Sequence, residues 1–436
     1  MASAHDTART AAAAGDEQQV LAGLEENSPY VRQGLFGNGN TGVEYVRAKK
    51  RSNKLAVTFA QEGTRNMRQP GFAEHFMLER GFDVLTLKCN INNWFQDISR
   101  EQLQEAIAGR LLNYDFVVCY GSSMGGYAAI YFAEIVKANV VIALSPQYSI
   151  DPKNVDFDQR WAGSAAKITF KHQPLDAILA HTGAAIHVVY DPHNDDAKHA
   201  AAMQAASNRI IPVEIPYSGH PSGLALQQMG LLAELFDSLV EGRIPPIRKK
   251  MRAQRMRSAQ YLFGLAQSCV RRGHKMAALS LMERAVSTEG ATVEIRIAYC
   301  RLLHAEGRVQ DALAALREYW PSLPQNVHMI SYRAHLEQVA GDPKEARRLF
   351  DLAIRQQPDM TLLYKEERKL LSDIVADSDH KMAMMQIALE RAQAEAQMRM
   401  GGAPAQFSGR NVAVMAAASL AIVAFIAILA ISLHVV

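Results

Sequence analysis

Residues 115–136 read DFVVCYGSSMGGYAAIYFAEIV: an apolar run, a turn of small residues and a stretch with a helical pattern. Within the turn, Gly121 lies two residues before Ser123 and Gly125 lies two residues after it. A sharp strand-to-helix turn has no room for side chains at those two positions. With Ser122 at the crest, the same two positions would carry large side chains that clash. The spacing therefore predicts a strand, a tight turn with Ser123 at its crest, and a helix.

The sequence around this turn alternates between apolar runs and helical patterns. The later runs are continuously apolar, which is typical of parallel strands buried on both faces. The first two runs flank the turn-like KKRSN and predict a hairpin. The pattern predicts an α/β domain with a mostly parallel sheet wrapped by helices. The apolar runs are 43–48, 54–60, 83–88, 115–121, 139–145, 185–191 and 211–217.

Two loops downstream of the turn carry residues that could activate Ser123. A serine hydroxyl is a weak nucleophile unless a base takes its proton. His220 lies in the small-residue loop SGHPSG after the last apolar run, which makes it the best candidate base. The loop after AIHVVY offers an acid to orient the imidazole. We favour Asp195, with Asp196 as a close alternative, since Asp191 lies near the strand end.

Other residues are candidates for binding the substrate. The backbone N–H of Met124 at the start of the helix is a candidate oxyanion donor, and the N–H of Gln61, or alternatively of Ala60, is a second. Trp94 and Tyr148 follow strand-like runs and could shape a substrate pocket at the carboxyl edge of the sheet. The alternative for both aromatic residues is that they simply pack in the core or in a small lid.

The strand–GSSMGG–helix order, followed by an acid and then a histidine, resembles the α/β-hydrolase superfamily over 43–242. The resemblance implies a serine hydrolase that cleaves an ester, thioester or amide with no cofactor and no metal. The loop at 61–63 reads QEG and lacks the family's usual His-Gly pair. Two alternatives remain: acyl transfer to an acceptor other than water, and a non-catalytic scaffold with a degenerate hydrolase domain.

A repeat follows the hydrolase-like region. Gly273, Gly307 and Gly341 are spaced 34 residues apart, with an alanine five residues after each and a larger apolar residue nine after each. This pattern resembles the tetratricopeptide repeat, in which the glycine turns the chain between two helices and the alanine permits close packing. The resemblance covers about 258–360 and implies a protein partner, since such repeats present a concave recognition surface.

Residues 412–433 read VAVMAAASLAIVAFIAILAISL and carry no charge. As a helix they would extend about 33 Å, enough to cross a hydrocarbon core of about 30 Å. Arg399 and Arg410 precede them, so the positive-inside rule predicts a C-terminal tail anchor with the soluble domains on the cytoplasmic side. Proximity to a bilayer makes an acyl-lipid substrate attractive.

Composition adds few constraints on partners. The chain of 436 residues has a formal net charge of +3 from 47 basic and 44 acidic residues, which gives no reason to expect a nucleic-acid partner. Its four cysteines are too scattered for a disulfide framework or a zinc site. The predicted segments are a poorly ordered arm (1–42), the hydrolase-like domain (43–242), a basic linker (243–257), helical repeats with a capping helix (258–399), a tether (400–411) and the membrane helix (412–433).

Overall fold

The computed structural model describes residues 29–50, 52–64, 66–358 and 361–401. Eight strands form one sheet in the order β1-β2-β4-β3-β5-β6-β7-β8. Strands β3 to β8 run parallel to one another, while β2 pairs antiparallel with both β1 and β4, so the predicted mostly parallel sheet is confirmed. The strands are β1 (Tyr30–Gly37), β2 (Thr41–Ala48), β3 (Lys54–Phe59), β4 (Asp83–Cys89), β5 (Phe116–Ser122), β6 (Val140–Leu144), β7 (Ala185–Tyr190) and β8 (Ile210–Glu214).

Helices cover both faces of this sheet. Along β5, Val117 and Cys119 join the apolar cluster on one face, and Val118 and Tyr120 join the cluster on the other. The strand therefore reads as one unbroken apolar run. The helices are α1 (Glu74–Leu78), α2 (Arg100–Ala106), α3 (Met124–Tyr131), α4 (Ala162–Ala165), α5 (Leu175–Leu179), α6 (Asp196–Ala206), α7 (Ser222–Gln228), α8 (Leu232–Val240) and α9 (Ile247–Gln254), with a short 3₁₀ turn at Leu111–Asn113.

The predicted hairpin between 43–48 and 54–60 is wrong. Strand β2 pairs with β1 and β4, whereas β3 lies between β4 and β5. The tight connection lies earlier in the chain, where the Asn38 side chain accepts the backbone N–H groups of Asn40 and Thr41. Residues from 30 onward in the predicted disordered arm therefore belong to the sheet.

The segment predicted as a basic linker is also different from expectation. It forms helix α9 and a 3₁₀ turn at Arg255–Arg257. Ile247 and Met251 are buried in the same apolar cluster as the helices on one face of the sheet. Arg248 pairs with Glu214 and Lys250 with Glu234. This segment is thus part of the sheet domain rather than a free connection.

Beyond α9 the described part of the chain, up to residue 401, is mostly helical, as the repeat spacing predicts. Gly273, Gly307 and Gly341 lie between paired helices with φ of 77°, 76° and 92°, a region that glycine enters without strain. The alanines five residues later are fully buried, because the paired helices meet there. The helices are α10 (Ala259–Arg271), α11 (Lys275–Ser287), α12 (Val293–Ala305), α13 (Val309–Tyr319), α14 (Val327–Val339), α15 (Pro343–Gln356) and α16 (Thr361–Gly401), with a 3₁₀ turn at Trp320–Ser322.

The chain divides into two compact units, Met1–Leu323 and Pro324–Val436. The first holds the sheet domain and helices α10 to α13; the second holds α14 to α16. Among the described residues, no helix combines the length and apolar character needed to span a bilayer. The predicted membrane segment at 412–433 lies outside the described residues, as do most of the predicted tether and of the N-terminal arm.

Candidate active site

The turn between β5 and α3 holds Ser123 in a strained backbone conformation. Its φ is 54° and its ψ is −119°, which a residue with a side chain seldom adopts. A Cβ on Gly121 would lie 2.0 Å from the carbonyl oxygen of Gly125. A Cβ on Gly125 would lie 2.5 Å from the carbonyl oxygen of Phe59. Both glycines are therefore required for the turn to close, and the turn lifts the Ser123 side chain out of the strand.

Two loops at the same edge of the sheet bring an imidazole and a carboxylate to this serine. His220, which follows β8, places Nε2 2.9 Å from Ser123 Oγ. On the other side of the ring, Nδ1 lies 2.9 and 3.0 Å from the two carboxylate oxygens of Asp196, the first residue of α6. An ionised carboxylate only accepts hydrogen bonds, so Nδ1 carries the proton and Nε2 accepts the serine hydroxyl.

Asp195, the acid we favoured from the sequence, does not contact His220. Its carboxylate is 38% exposed and lies 2.9 Å from Nζ of Lys198, one helical turn along α6. Neighbouring residues at the start of a helix point in directions about 100° apart, so only one of the two aspartates can face the imidazole. The structure selects Asp196, which is almost fully buried.

Asp196 belongs to a larger network of charges, in which the two aspartates are buried and Arg160 is partly exposed. The Arg160 guanidinium bridges it to Asp158, with nitrogen–oxygen distances of 2.7 Å to both. Asp158 in turn accepts Nε2–H of the fully buried His199 at 3.0 Å. Burial alone would raise the pKa of Asp196, but His220 and Arg160 outweigh it and leave that pKa below its ordinary value. The carboxylate is thus held ionised beside the imidazole.

Sequence reasoning missed a fourth side chain at the serine. Gln147, three residues after the end of β6, is fully buried and places Nε2 3.1 Å from Ser123 Oγ. Its Oε1 accepts the indole N–H of Trp94 at 3.1 Å. The only available signal was position: Gln147 follows a parallel strand at the carboxyl edge of the sheet, where functional side chains collect.

The backbone N–H groups predicted as oxyanion donors differ in whether they already have a backbone acceptor. Met124 is the first residue of α3, so its N–H has no carbonyl one turn earlier to bond. The N–H of Ala60 already donates to the Leu87 carbonyl at 2.9 Å, which removes Ala60 from consideration. Among the described residues, the N–H of Gln61 has no backbone acceptor. The loop after β3 approaches α3 closely, since a Cβ on Gly125 would lie 3.0 Å from the Ala60 carbonyl oxygen.

The two aromatic residues proposed for the substrate pocket differ in how far they are exposed. Trp94 is 1% exposed, so its ring packs in the core rather than on an open surface. Tyr148 is partly exposed; it lines a polar cavity of about 390 Å³, and its backbone N–H donates to Nδ1 of His199. A third ring, Trp161, packs edge-on against both His220 and Trp94. Within the described part of the chain, its indole N–H has no hydrogen-bond partner.

The fold and this geometry define an α/β-hydrolase-like domain followed by tetratricopeptide-like helical repeats. No family model matches the chain, and no curated protein matches its sequence. Among solved structures, the chain is similar to Est1E from Butyrivibrio proteoclasticus, at 12% identity over 49% of this chain and 99% of Est1E, with a TM-score of 0.33. It is similar to the esterase Pf2001 of Pyrococcus furiosus, at 13% identity over 48% of this chain and 88% of that one, with a TM-score of 0.34.

The repeat region is similar to the tetratricopeptide domain of OM64 from Arabidopsis. The identity is 15%, the match covers 27% of this chain and 98% of that domain, and the TM-score is 0.24. These likenesses concern the arrangement of helices and strands alone. The chemistry assigned below depends on the residues of this chain.

Proposed function

We propose that this protein is a serine hydrolase that cleaves an ester, thioester or amide. The observation that supports it is the unbroken contact from Ser123 Oγ through His220 to the buried Asp196, at a turn whose strain only glycine neighbours permit. A nucleophile, a base and an orienting acid in hydrogen-bond contact form the arrangement that acyl transfer requires.

In the proposed reaction, Ser123 Oγ attacks the substrate carbonyl carbon while His220 Nε2 takes the hydroxyl proton. Asp196 stabilises the imidazolium that forms, and the N–H groups of Met124 and Gln61 donate to the oxyanion. Collapse of this intermediate breaks the bond to the leaving group, which takes the proton from His220. Water then attacks the acyl-enzyme with His220 as the base, releasing the acid and restoring the serine.

A fluorophosphonate probe tests this proposal on the full chain without knowledge of the substrate. Such probes react covalently with an activated serine, so the wild-type protein is expected to be labelled and Ser123→Ala to be unlabelled. Ser122→Ala, which removes the neighbouring hydroxyl, is the matched control and should be labelled. If folded wild-type protein takes up no probe, the domain is a non-catalytic scaffold.

The same assay distinguishes the two neighbouring aspartates. Asp196→Asn should slow labelling by about 100-fold or more, because the amide no longer stabilises an imidazolium and can hold the wrong tautomer. Asp195→Asn makes the same chemical change one residue earlier, where the carboxylate pairs with Lys198 rather than with His220. That variant should react at the wild-type rate. If both variants lose the same labelling rate, the rate depends on the integrity of helix α6 rather than on the Asp196 carboxylate.

The remaining parts of the chain suggest where such an enzyme would act. We infer that the helical repeats recruit a protein partner and that residues 412–433 anchor the enzyme to a membrane with its domains on the cytoplasmic side. Support for the first is the burial of the repeat alanines between paired helices. Support for the second is the uncharged apolar sequence. A membrane-bound acyl compound is then the substrate class within reach.

A further inference from the structure

The Ser123 hydroxyl has two partners, and they differ in what they can accept or donate. His220 Nε2 lies 2.9 Å from Oγ, and Gln147 Nε2 lies 3.1 Å from it. A hydroxyl has one hydrogen to donate and two lone pairs to accept with. The direction of each hydrogen bond is therefore decided by the chemistry of the partners.

The orientation of the Gln147 amide is fixed by Trp94. The indole N–H can only donate, so the amide atom 3.1 Å from it must be the carbonyl oxygen. The NH₂ group then faces Ser123, and it can only donate. Both side chains are buried, with Gln147 at 0% and Trp94 at 1% exposure, so water cannot replace these bonds.

A single direction of donation follows along the whole chain of contacts. Trp94 donates to Gln147, Gln147 donates to Ser123, Ser123 donates to His220, and His220 donates to Asp196. The first group can only donate and the last can only accept, so the order has no alternative. One lone pair of Ser123 Oγ is taken by Gln147, which leaves the other for the substrate carbonyl carbon.

The backbone conformation at Trp94 supports a functional role for the hydrogen bond between Trp94 and Gln147. Trp94 and Phe95 have φ of 50° and 58°, an uncommon conformation for one bulky residue and more so for two in succession. Such conformations persist where the surroundings impose them, and they gather at functional sites. Here the left-handed segment holds the Trp94 indole where its N–H meets Gln147.

From these contacts we propose that Gln147 is a further catalytic residue of the proposed hydrolase, and that Trp94 is the positioning residue that orients it. Gln147 directs the Ser123 proton toward His220. As the proton leaves, the amide N–H stabilises the partial negative charge on Oγ, before the new bond to the carbonyl carbon moves that charge to the carbonyl oxygen. The inference rests on the proposed function, since it assigns a role in the same reaction.

The first test compares Gln147→Glu with the wild-type protein in fluorophosphonate labelling. Glutamate keeps the length of the side chain and can still accept from Trp94, but its carboxylate cannot donate to Ser123 and instead attracts the hydroxyl proton away from His220. We expect kinact to fall about 10- to 100-fold, the range of a hydrogen bond to a charged group, with KI unchanged. Gln104→Glu, on the exposed surface of α2, is the matched control and should react normally.

A second pair of variants separates catalysis from folding. Gln147→Met removes the donor and leaves the Trp94 N–H buried without a partner, which lowers stability. Adding Trp94→Phe removes that unpaired N–H but places a smaller ring in the core, so the double variant should regain part of the lost thermal stability while its kinact stays low. A double variant that regains both stability and labelling rate would show that Gln147 is structural only.

The outcomes also separate this inference from the proposed function. If the wild-type protein is not labelled, the hydrolase proposal fails and the role of Gln147 fails with it. If the wild-type protein is labelled at Ser123 and Gln147→Glu reacts at the same rate, only the role assigned to Gln147 is overturned.

Discussion

At the scale of single residues, His172 is a histidine whose surroundings oppose a positive charge. Its ring stacks on Tyr131 with 4.0 Å between ring centroids. Its Nε2–H donates to the Ile98 carbonyl, and its Nδ1 accepts the hydroxyl of Tyr127. Burial is the main cause that lowers the pKa of His172 to about 4. The folded protein thus keeps this imidazole neutral at pH values where a free histidine takes up a proton.

This difference makes stability depend on pH in a defined direction. The unfolded chain binds a proton at His172 near pH 6.5, and the folded chain does so only near pH 4. Between those values the unfolded state binds more protons, so the free energy of unfolding falls as the pH is lowered. His172→Gln should reduce that fall by roughly 2–3 kcal/mol in urea titrations compared at pH 7.5 and 4.5. His181→Gln, on the surface, should leave it unchanged; an equal pH dependence in all three proteins contradicts the prediction.

How far the sequence specifies the site also differs from residue to residue. Ser123 and Met124 follow from the steric rule of the turn, and His220 follows from its place after the last strand. The choice between Asp195 and Asp196 needs the exact start of helix α6, which sequence patterns locate only to within a few residues. Gln147 belongs to no motif, because its role comes from a contact with Trp94, 53 residues away in the chain.

At the scale of elements, the first repeat helix supports the loop that carries His220. A Cβ on Gly264 of α10 would lie 2.5 Å from the carbonyl oxygen of Tyr217, in the His220 loop. Nearby, the Gln260 side chain fills the space beside Gly219, the residue before His220. Tyr217 and Tyr261 also pack edge to face, 5.9 Å between centroids. The repeat helix therefore packs directly against the loop that carries His220.

This contact predicts the effect of one added methyl group. Within an exposed helix, changing glycine to alanine raises stability by up to about 1 kcal/mol. At Gly264 the methyl group meets backbone atoms that cannot rotate away, so Gly264→Ala should lower the melting temperature and slow fluorophosphonate labelling. Gly163→Ala in α4, where nothing lies within 4 Å of the new Cβ, is the control and should do neither. If the Gly264→Ala protein is destabilised but is labelled at the wild-type rate, the packing of the repeat helix does not affect the proposed active site.

Helices and strands were predictable from the sequence where a regular residue spacing or a steric rule was strong. The glycine spacing located the paired helices, and the continuous apolar runs located the parallel strands. Strand β1 was missed because its burial is partial and follows no simple alternation. The hairpin was misplaced because two turn-like sequences lie about ten residues apart in this region. Sequence patterns do not show that the first of them, which the Asn38 side chain closes, is the one that joins β1 to β2.

At the scale of the whole molecule, the compact units do not follow the boundary that composition suggested. The sequence places a boundary near residues 243–257, where prolines and basic residues follow the last helix of the sheet domain. The structure instead groups that domain with the first two helix pairs of the repeats. The reason is packing: α9 buries Ile247 and Met251 with the sheet domain, and α10 contacts the His220 loop. Sequence patterns report local periodicity and carry no signal for such contacts.

Membrane anchoring by residues 412–433 would determine where the entire chain is located. The apolar character of 412–433 tolerates little charge, since an arginine at the centre of a membrane helix costs about 3 kcal/mol. Replacing Ile422 and Ile426 together by arginine should move the full-length protein from the carbonate-resistant membrane fraction to the soluble fraction. Replacing both by leucine, which keeps the apolar character, should leave it in the membrane fraction. Because the domains are proposed to face the cytoplasm, protease added to sealed cytoplasmic-side-out vesicles should digest them. Wild-type protein found in the soluble fraction would contradict the anchor. Domains protected from the protease would contradict its orientation.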